Sequence, residues 1–117
     1  MTPFPELIEK TRLDLFVIAE QCFEVQQSQG FIVDELRAQI AVAVDGDGKP
    51  RYSNEDKRKA ALAEALIQTE VYQRLAVQLR GFEKEREFAA ARLERLRGEF
   101  SLDKLQRREA ITAADYM

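Results

Sequence analysis

From residue 4 onwards, apolar residues recur at alternating intervals of four and three positions, which is the period of an amphipathic α-helix. Three positions of this row are polar, and a second apolar row runs beside it. Such a wide apolar stripe is typical of a helix that is buried against more than one neighbour. The pattern predicts a first helix over about residues 4–44. The main row, here called the first seam, contains Phe4, Ile8, Thr11, Leu15, Ile18, Cys22, Val25, Gln29, Ile32, Leu36, Gln39 and Ala43, and the flanking row contains Phe16, Ala19, Phe23, Val33, Ile40 and Val44.

Gly30 is the weak point of this first helix, because glycine costs about 1 kcal/mol relative to alanine in a helix interior. Two alternatives follow. The helix either continues through Gly30 or ends there and restarts near Asp34. We favour the continuous helix.

Residues 45–53 contain the strongest break in the pattern and predict a turn. Two Asp-Gly pairs supply residues that accept turn conformations, and Pro50 disfavours a helical conformation at the residue before it. Ser53 then precedes Asp56 by three positions, which is the spacing of a capping box, so Ser53 is the predicted cap of a second helix. An alternative makes residues 41–44 and 49–52 the arms of a β-hairpin about residues 45–48.

A second seam follows the turn and predicts a helix over about residues 54–100. Gly98 and Ser101 loosen the pattern, so we expect a short C-terminal helix and a tail within residues 101–117. The second seam contains Ala61, Ala65, Gln68, Tyr72, Leu75, Leu79, Phe82, Arg86, Ala89, Leu93, Leu96 and Phe100.

Two long amphipathic helices joined by a short polar turn predict an all-α fold of one domain, a long antiparallel helical hairpin like a coiled coil. Residues 1–48 carry nine acids and three bases, a net charge of −6, so residues 49–117 carry +3 because the whole chain is −3. These opposite charges favour pairing of the two arms. Two helices alone cannot cover stripes this broad. We therefore expect self-association into a helical bundle, with a dimer favoured, or docking on a protein partner.

The residues required by most enzymes are missing from the sequence. The 117 residues include no histidine and a single cysteine, so an imidazole base, a Cys-His pair and a zinc cluster are all excluded. Cys22 lies on the first seam, where a thiol is usually inert. Glycine-rich phosphate loops are absent, and a calcium loop starting at Asp45 fails because Lys49 and Pro50 occupy its fifth and sixth positions. We expect no enzyme, cofactor or metal site.

Basic residues near the turn offer a nucleic-acid alternative. Several cations close to a tyrosine could contact phosphates and stack on a base. However, the chain is acidic overall and acids interleave with the bases, so solvated helix faces explain these charges better. The candidate contact residues are Lys49, Arg51, Tyr52, Lys57, Arg58 and Lys59.

The most distinctive stretches of the chain are Asp47-Gly48-Lys49-Pro50-Arg51-Tyr52-Ser53-Asn54-Glu55, with Arg58 and Tyr72, and residues 93–101. Together they resemble small helical proteins of unknown function encoded by phages and bacterial mobile elements. In those proteins a Gly-Lys-Pro-x-Tyr-Ser-Asn-Glu turn joins two long helices. The resemblance spans roughly residues 40–105 and implies a helical hairpin without catalytic residues. It also implies an association with phage replication or recombination.

Apolar runs and charge give expectations about location. No run approaches the roughly 18–20 apolar residues of a membrane span, and the acidic first helix differs from the basic helices that lie on membranes. The N-terminus has no pattern of a secretory signal, and a single cysteine forms no internal disulfide. These features predict a cytoplasmic protein that does not bind membranes.

Overall fold

The computed structural model describes residues 3–115 and is built from three α-helices. Helix α1 spans Phe4–Val42, α2 spans Glu55–Gln68 and α3 spans Glu70–Asp115. Within the described residues no β-strand forms, and one isolated β-bridge lies between α1 and α2. The all-α prediction is therefore confirmed.

Helix α1 passes through Gly30 without a break and ends at Val42, two residues before the predicted end. Its first turn uses the carbonyl of Pro3, which accepts a hydrogen bond from the Leu7 N–H at 3.2 Å. Gly30 has no positive φ, so it does not act as a left-handed helix terminator. The first of the two alternatives, a continuous helix, is the one observed.

The N-cap of α2 is Asn54, and the prediction of Ser53 in this role was wrong. Asn54 has extended backbone angles, and its Oδ1 accepts a hydrogen bond from the Lys57 N–H at 2.8 Å. The Ser53 hydroxyl instead lies 3.5 Å from the Lys57 ammonium. Serine and asparagine are both good N-caps, and the path of the chain out of the turn places Asn54 at the cap position.

The predicted second helix is interrupted at Thr69, which separates α2 from α3. Thr69 has extended backbone angles, φ −86° and ψ 102°, which turn the chain out of the helical path after α2. Its hydroxyl donates a hydrogen bond to the carbonyl of Ala65 at 2.7 Å. The carbonyl of Leu66 accepts from the Thr69 N–H at 3.3 Å and from the Gln73 amide at 2.9 Å. Side chains thus replace the helical hydrogen bonds that the break removes.

The predicted end of the second helix at residue 100 was also wrong, because α3 continues through Gly98 and Ser101 to Asp115. A glycine costs only about 1 kcal/mol in a helix interior, and neighbouring helical residues outweigh that cost. An ion pair between Arg107 Nε and Asp103 at 3.2 Å spans one turn of this extension. Of the C-terminal helix and tail predicted over residues 101–117, residues 116–117 lie outside the described residues.

Contacts divide the chain into two units, and the first contains residues 3–20 and 83–115 among those described. Ile8 packs with Leu93 and Leu96 in its core. The rings of Phe4 and Phe100 lie 5.8 Å apart. The start of α1 therefore packs against a late part of α3, so the two helices of this unit are antiparallel.

The second unit contains residues 21–82 and has the form of a helical hairpin. Its core includes Cys22 and Val25, which are buried. The end of α1 and the start of α2 line a common groove, in which Ile40 and Leu62 take part. The chain therefore reverses direction through residues 43–54, as the sequence predicts.

Both seams face the interior of the units. In the first seam, all twelve residues are described and Gln39 is the one exposed member; in the second, Gln68 and Arg86 are exposed. Thr11 is polar yet only 3% exposed. Its hydroxyl donates to the Leu7 carbonyl at 2.8 Å, which satisfies a polar group that would otherwise be costly to bury.

Candidate interaction surfaces

The tip of the hairpin in the second unit, residues 43–54, is closed by one β-bridge between Val44 and Pro50. The Asp45 N–H donates to the Lys49 carbonyl at 2.8 Å, and the Arg51 N–H donates to the Ala43 carbonyl at 3.0 Å. The alternative of a β-hairpin at this place is thus realised as a single bridge and not as two strands. The bridge fixes the course of the backbone on both sides of the turn.

Asp45 organises the turn with its side chain. Its Oδ1 accepts hydrogen bonds from the N–H groups of Asp47 at 2.9 Å and Lys49 at 3.1 Å. Gly48 has a φ of 78°, which a residue with a side chain rarely adopts. The carboxylate of Asp45 therefore serves the turn itself, which is the role of an Asx-turn.

The six predicted contact residues do not share one surface. On one side of the tip, Arg58 and Lys59 line a groove of about 330 Å³. On the other side, Arg51, Tyr52 and Lys57 line a groove of about 680 Å³. Lys49 lines neither groove.

Several of these side chains already have partners within the chain. The Arg51 guanidinium lies 5.6 Å from the centre of the Tyr52 ring, and the Tyr52 carbonyl accepts from Arg58 Nη1 at 3.4 Å. Lys59 Nζ lies 3.6 Å from a Glu55 carboxylate oxygen, with both side chains exposed. A tyrosine face that an arginine already covers offers less area to a nucleic-acid base.

Arg37 also lines the groove that contains Arg58 and Lys59, although the sequence pattern did not identify it as a contact residue. It lies on α1, with Glu55, Arg58 and Lys59 on the facing helix. Because the hairpin is antiparallel, a base five residues before the end of α1 comes close to the first turn of α2. The predicted hairpin contained the signal that identifies Arg37, because an antiparallel arrangement places the end of α1 beside the start of α2. The groove thus has three cations and one carboxylate.

A second surface lies on the side of α1 that faces away from the first seam. We define the outer face of α1 as Leu13, Phe16, Val17 and Glu20 of the first unit, which fall within about a third of the helix circumference at 100° per residue. The three apolar members are 60%, 63% and 52% exposed, in that order. Large apolar side chains that are exposed together on one helix face commonly mark a contact surface.

The flanking row of the sequence pattern contributes Phe16 to this face. The sequence predicts that the row widens a buried stripe. Within one chain, however, Val33 and Ile40 are half-buried, whereas Phe16 and Phe23 are exposed. The intramolecular contacts therefore cover only part of the apolar stripe that the pattern contains.

A groove in the first unit adds to the exposed apolar surface. Val17 of α1 and Phe88 of α3 line it, with Asp14 and Glu85 beside them, and its volume is about 400 Å³. Phe88 is 73% exposed. An apolar floor with acidic edges is suited to a protein surface that carries apolar and basic groups.

The described residues show neither a metal-binding cluster nor a membrane-spanning helix. Among residues 3–115, no group of three or more cysteine, aspartate or glutamate side chains is placed to hold a metal ion. Cys22, which is 3% exposed, lies in a core. Over the same residues, none of the helices combines the length and the apolar character needed to cross a membrane.

Compared with family models, with curated proteins and with solved structures, the chain gives no significant match. The geometry of the two surfaces is therefore the basis for a functional assignment.

Proposed function

We propose that the protein is a non-enzymatic helical interaction protein that self-associates and binds a protein partner in the cytoplasm. The single observation that carries the proposal is the outer face of α1, where three large apolar side chains are each at least half exposed. Burial of apolar area is the main driving force of protein association, at about 25 cal/mol per Å². An isolated chain leaves this area in water, and a second polypeptide removes it.

Helix α3 supplies the second part of the proposal, which is the partner. Beyond Phe100, the side chains of Leu102, Leu105 and Ile111 are 56%, 52% and 64% exposed. Together with Phe88, which is 73% exposed, they provide apolar surface on α3 that self-association through α1 need not cover. Such surfaces commonly serve as binding sites for other proteins.

Sedimentation velocity over a concentration series from about 1 to 100 µM tests self-association, because this range brackets dimers of moderate affinity. We expect the average mass to rise with concentration from one chain to two. A folded chain that sediments as a monomer at every concentration would contradict the proposal. Far-UV circular dichroism on the same samples shows that the chain is folded.

A second candidate function is that of an accessory protein of phage or bacterial nucleic-acid metabolism. The observation in its favour is the groove at the tip, where Arg37, Arg58 and Lys59 lie together. Three cations on one side could contact phosphates, whereas the carboxylate of Glu55 in the same groove repels phosphates. The resemblance of the turn to that of phage and mobile-element proteins gives this candidate its biological setting.

Fluorescence anisotropy with short single-stranded and duplex oligonucleotides tests this second function at about 50 and 200 mM salt, a range over which phosphate contacts weaken strongly. The matched variants are Arg58→Gln with Lys59→Gln in the groove, and Lys57→Gln on the other side. We expect weak or no binding. Binding at the lower salt that the groove variant abolishes, and that Lys57→Gln retains, would favour the nucleic-acid function.

A further inference from the structure

The groove lined by Arg58 and Lys59, here called the basic groove, combines apolar and basic residues from two facing helices. Ile40 of α1 and Leu62 of α2 line it and are half-buried. The cations of Arg37, Arg58 and Lys59 line the same space, which has a volume of about 330 Å³. All of these residues belong to the second unit. The chain therefore presents an apolar surface and a basic surface to one occupant.

The positive charge of the basic groove is only partly balanced within the chain. The carboxylate of Glu55, which also lines the groove, lies 3.6 Å from Lys59 Nζ and compensates that cation. Within the part of the chain that the structure describes, neither Arg37 nor Arg58 forms an ion pair. Arg58 Nη1 donates to the Tyr52 carbonyl at 3.4 Å, and this neutral acceptor leaves the charge of the guanidinium in place. Three cations and one carboxylate give the groove a net charge of +2, in a chain whose net charge is −3.

The hairpin holds the two arginines in a defined arrangement. Arg37 lies five residues before the end of α1, and Arg58 is the fourth residue of α2, so they line the groove from different helices. The hydrogen bond to the Tyr52 carbonyl restrains the Arg58 side chain. A side chain that is already restrained loses less conformational entropy when it binds a ligand.

The lining of the groove distinguishes between anionic ligands. A guanidinium forms two parallel hydrogen bonds with a carboxylate or a phosphate, so the arginines alone accept either. The phosphate backbone of a nucleic acid is charged and gains nothing from the apolar side chains of Ile40 and Leu62. An amphipathic peptide helix carries apolar and charged side chains within one turn of each other and binds in apolar grooves. Such a peptide with carboxylates therefore matches both the cations and the apolar lining.

We propose that the basic groove binds an acidic amphipathic segment of a partner protein. Carboxylates of the segment bind Arg37 and Arg58, and an apolar side chain of the segment packs against Ile40 and Leu62. Charge complementarity selects this occupant, because the two uncompensated arginines repel a basic segment. The inference rests on the proposed binding of a protein partner and gives that partner a site and a chemistry. It does not depend on self-association, which uses α1 residues of the first unit.

Two synthetic peptides test the proposal by fluorescence anisotropy at about 50 mM salt, where attraction between exposed charges is weakly screened. Both peptides are labelled, have the same length and carry leucine at helical spacing. The first has glutamate at every charged position, and the second has lysine. We expect the full chain to bind the glutamate peptide about tenfold more tightly than the lysine peptide. Equal binding of both peptides, or no binding of the glutamate peptide up to about 1 mM, would overturn the proposal.

Two double variants with the same change in net charge separate the groove from the rest of the tip. Arg37→Gln with Arg58→Gln removes the uncompensated arginines, and Arg51→Gln with Lys57→Gln removes two cations from the other side. All four side chains are exposed, so the fold should be retained. We expect the groove variant to raise the dissociation constant of the glutamate peptide about tenfold, and the control to change it less than about twofold. Equal weakening by both variants would indicate general attraction and overturn the proposal.

Ala41→Glu tests the groove without removing an arginine. Ala41 lines the groove and is exposed, so a carboxylate at this position can reach the cations and occupy the space of the ligand. We expect binding of the glutamate peptide to weaken about tenfold, with the fold checked by far-UV circular dichroism. Unchanged binding by a folded Ala41→Glu variant would overturn the proposed site.

Peptide binding and self-association are measured separately, so each can fail without the other. A chain that binds the glutamate peptide through the groove but sediments as a monomer would contradict self-association and support this inference. A dimer that does not bind the peptide would overturn this inference and leave self-association standing. Oligonucleotide binding that Arg37→Gln with Arg58→Gln abolishes, without any peptide binding, would overturn this inference in favour of the nucleic-acid function.

Discussion

Replacing Gly30 by alanine should stabilise the protein, because Gly30 lies inside α1, twelve residues before its end at Val42. A Cβ built at this position meets nothing within 4 Å, and φ is not positive. The substitution therefore introduces neither a clash nor backbone strain. What remains is the lower helix propensity of glycine and its greater freedom in the unfolded chain. Together these predict an increase of about 0.5–1 kcal/mol in the free energy of unfolding.

Two other glycines provide matched controls. Gly98 lies inside α3 and a Cβ there also meets nothing within 4 Å, so Gly98→Ala should raise the free energy of unfolding by a similar amount. Gly48 has a φ of 78°, which is strained for alanine, so Gly48→Ala should lower the free energy of unfolding by about 1 kcal/mol. The same chemical change thus has opposite signs at positions 30 and 48.

Urea denaturation followed by circular dichroism measures the three variants and the original chain. The midpoint should shift at constant slope, because the surface exposed on unfolding is unchanged. The measurements are made at two protein concentrations, since self-association adds a concentration-dependent contribution to stability. A Gly30→Ala variant that is equal to or less stable than the original chain at both concentrations would refute the continuous, unstrained helix on which the reasoning rests.

Five further variants test the cap, the core and the helix break, and urea denaturation gives the free energy of unfolding of each. Asn54→Ala should cost about 1 kcal/mol because it removes the cap of α2, whereas Ser53→Ala should cost little; the reverse order would restore Ser53 as the cap. Ile8→Ala should cost about 2–4 kcal/mol because Ile8 lies in the core of the first unit, and a cost below about 1 kcal/mol would contradict that packing. Thr69→Ala should cost about 1 kcal/mol because its hydroxyl satisfies a helix-end carbonyl, whereas Thr69→Ser should retain most of the stability; equal stability of the two would show that the hydroxyl does not support the break.

Part of the candidate site was accessible from sequence. The basic residues of the tip were identified by type and by their position near a turn. Their division between two sides was not, because it depends on how α2 leaves the turn after the bridge between Val44 and Pro50. Arg37 was missed because its proximity to Arg58 depends on the pairing of two helices distant in sequence.

The sequence by itself determined the all-α class, the turn and both seams, because a repeated interval of three and four residues has one consistent arrangement on a helix. It did not determine the ends of the helices. Ser53 and Asn54 differ by about 1 kcal/mol or less in their local preference for the cap position. The same holds for Thr69 and Ser101 as points where the second helix is interrupted. Differences of that size are decided by the contacts and hydrogen bonds of the folded chain, such as the hydroxyl of Thr69 at the carbonyl of Ala65.

The tertiary structure alone decided which apolar residues remain in water. The pattern marks the flanking row as apolar but cannot say how much of it a single neighbouring helix covers. In the folded chain, the seam residue Val25 is 8% exposed, whereas Phe16 and Phe23 are each 63% exposed. The physical reason is geometric: one antiparallel neighbour contacts only a narrow stripe of a helix, and the opposite side stays open for a further contact.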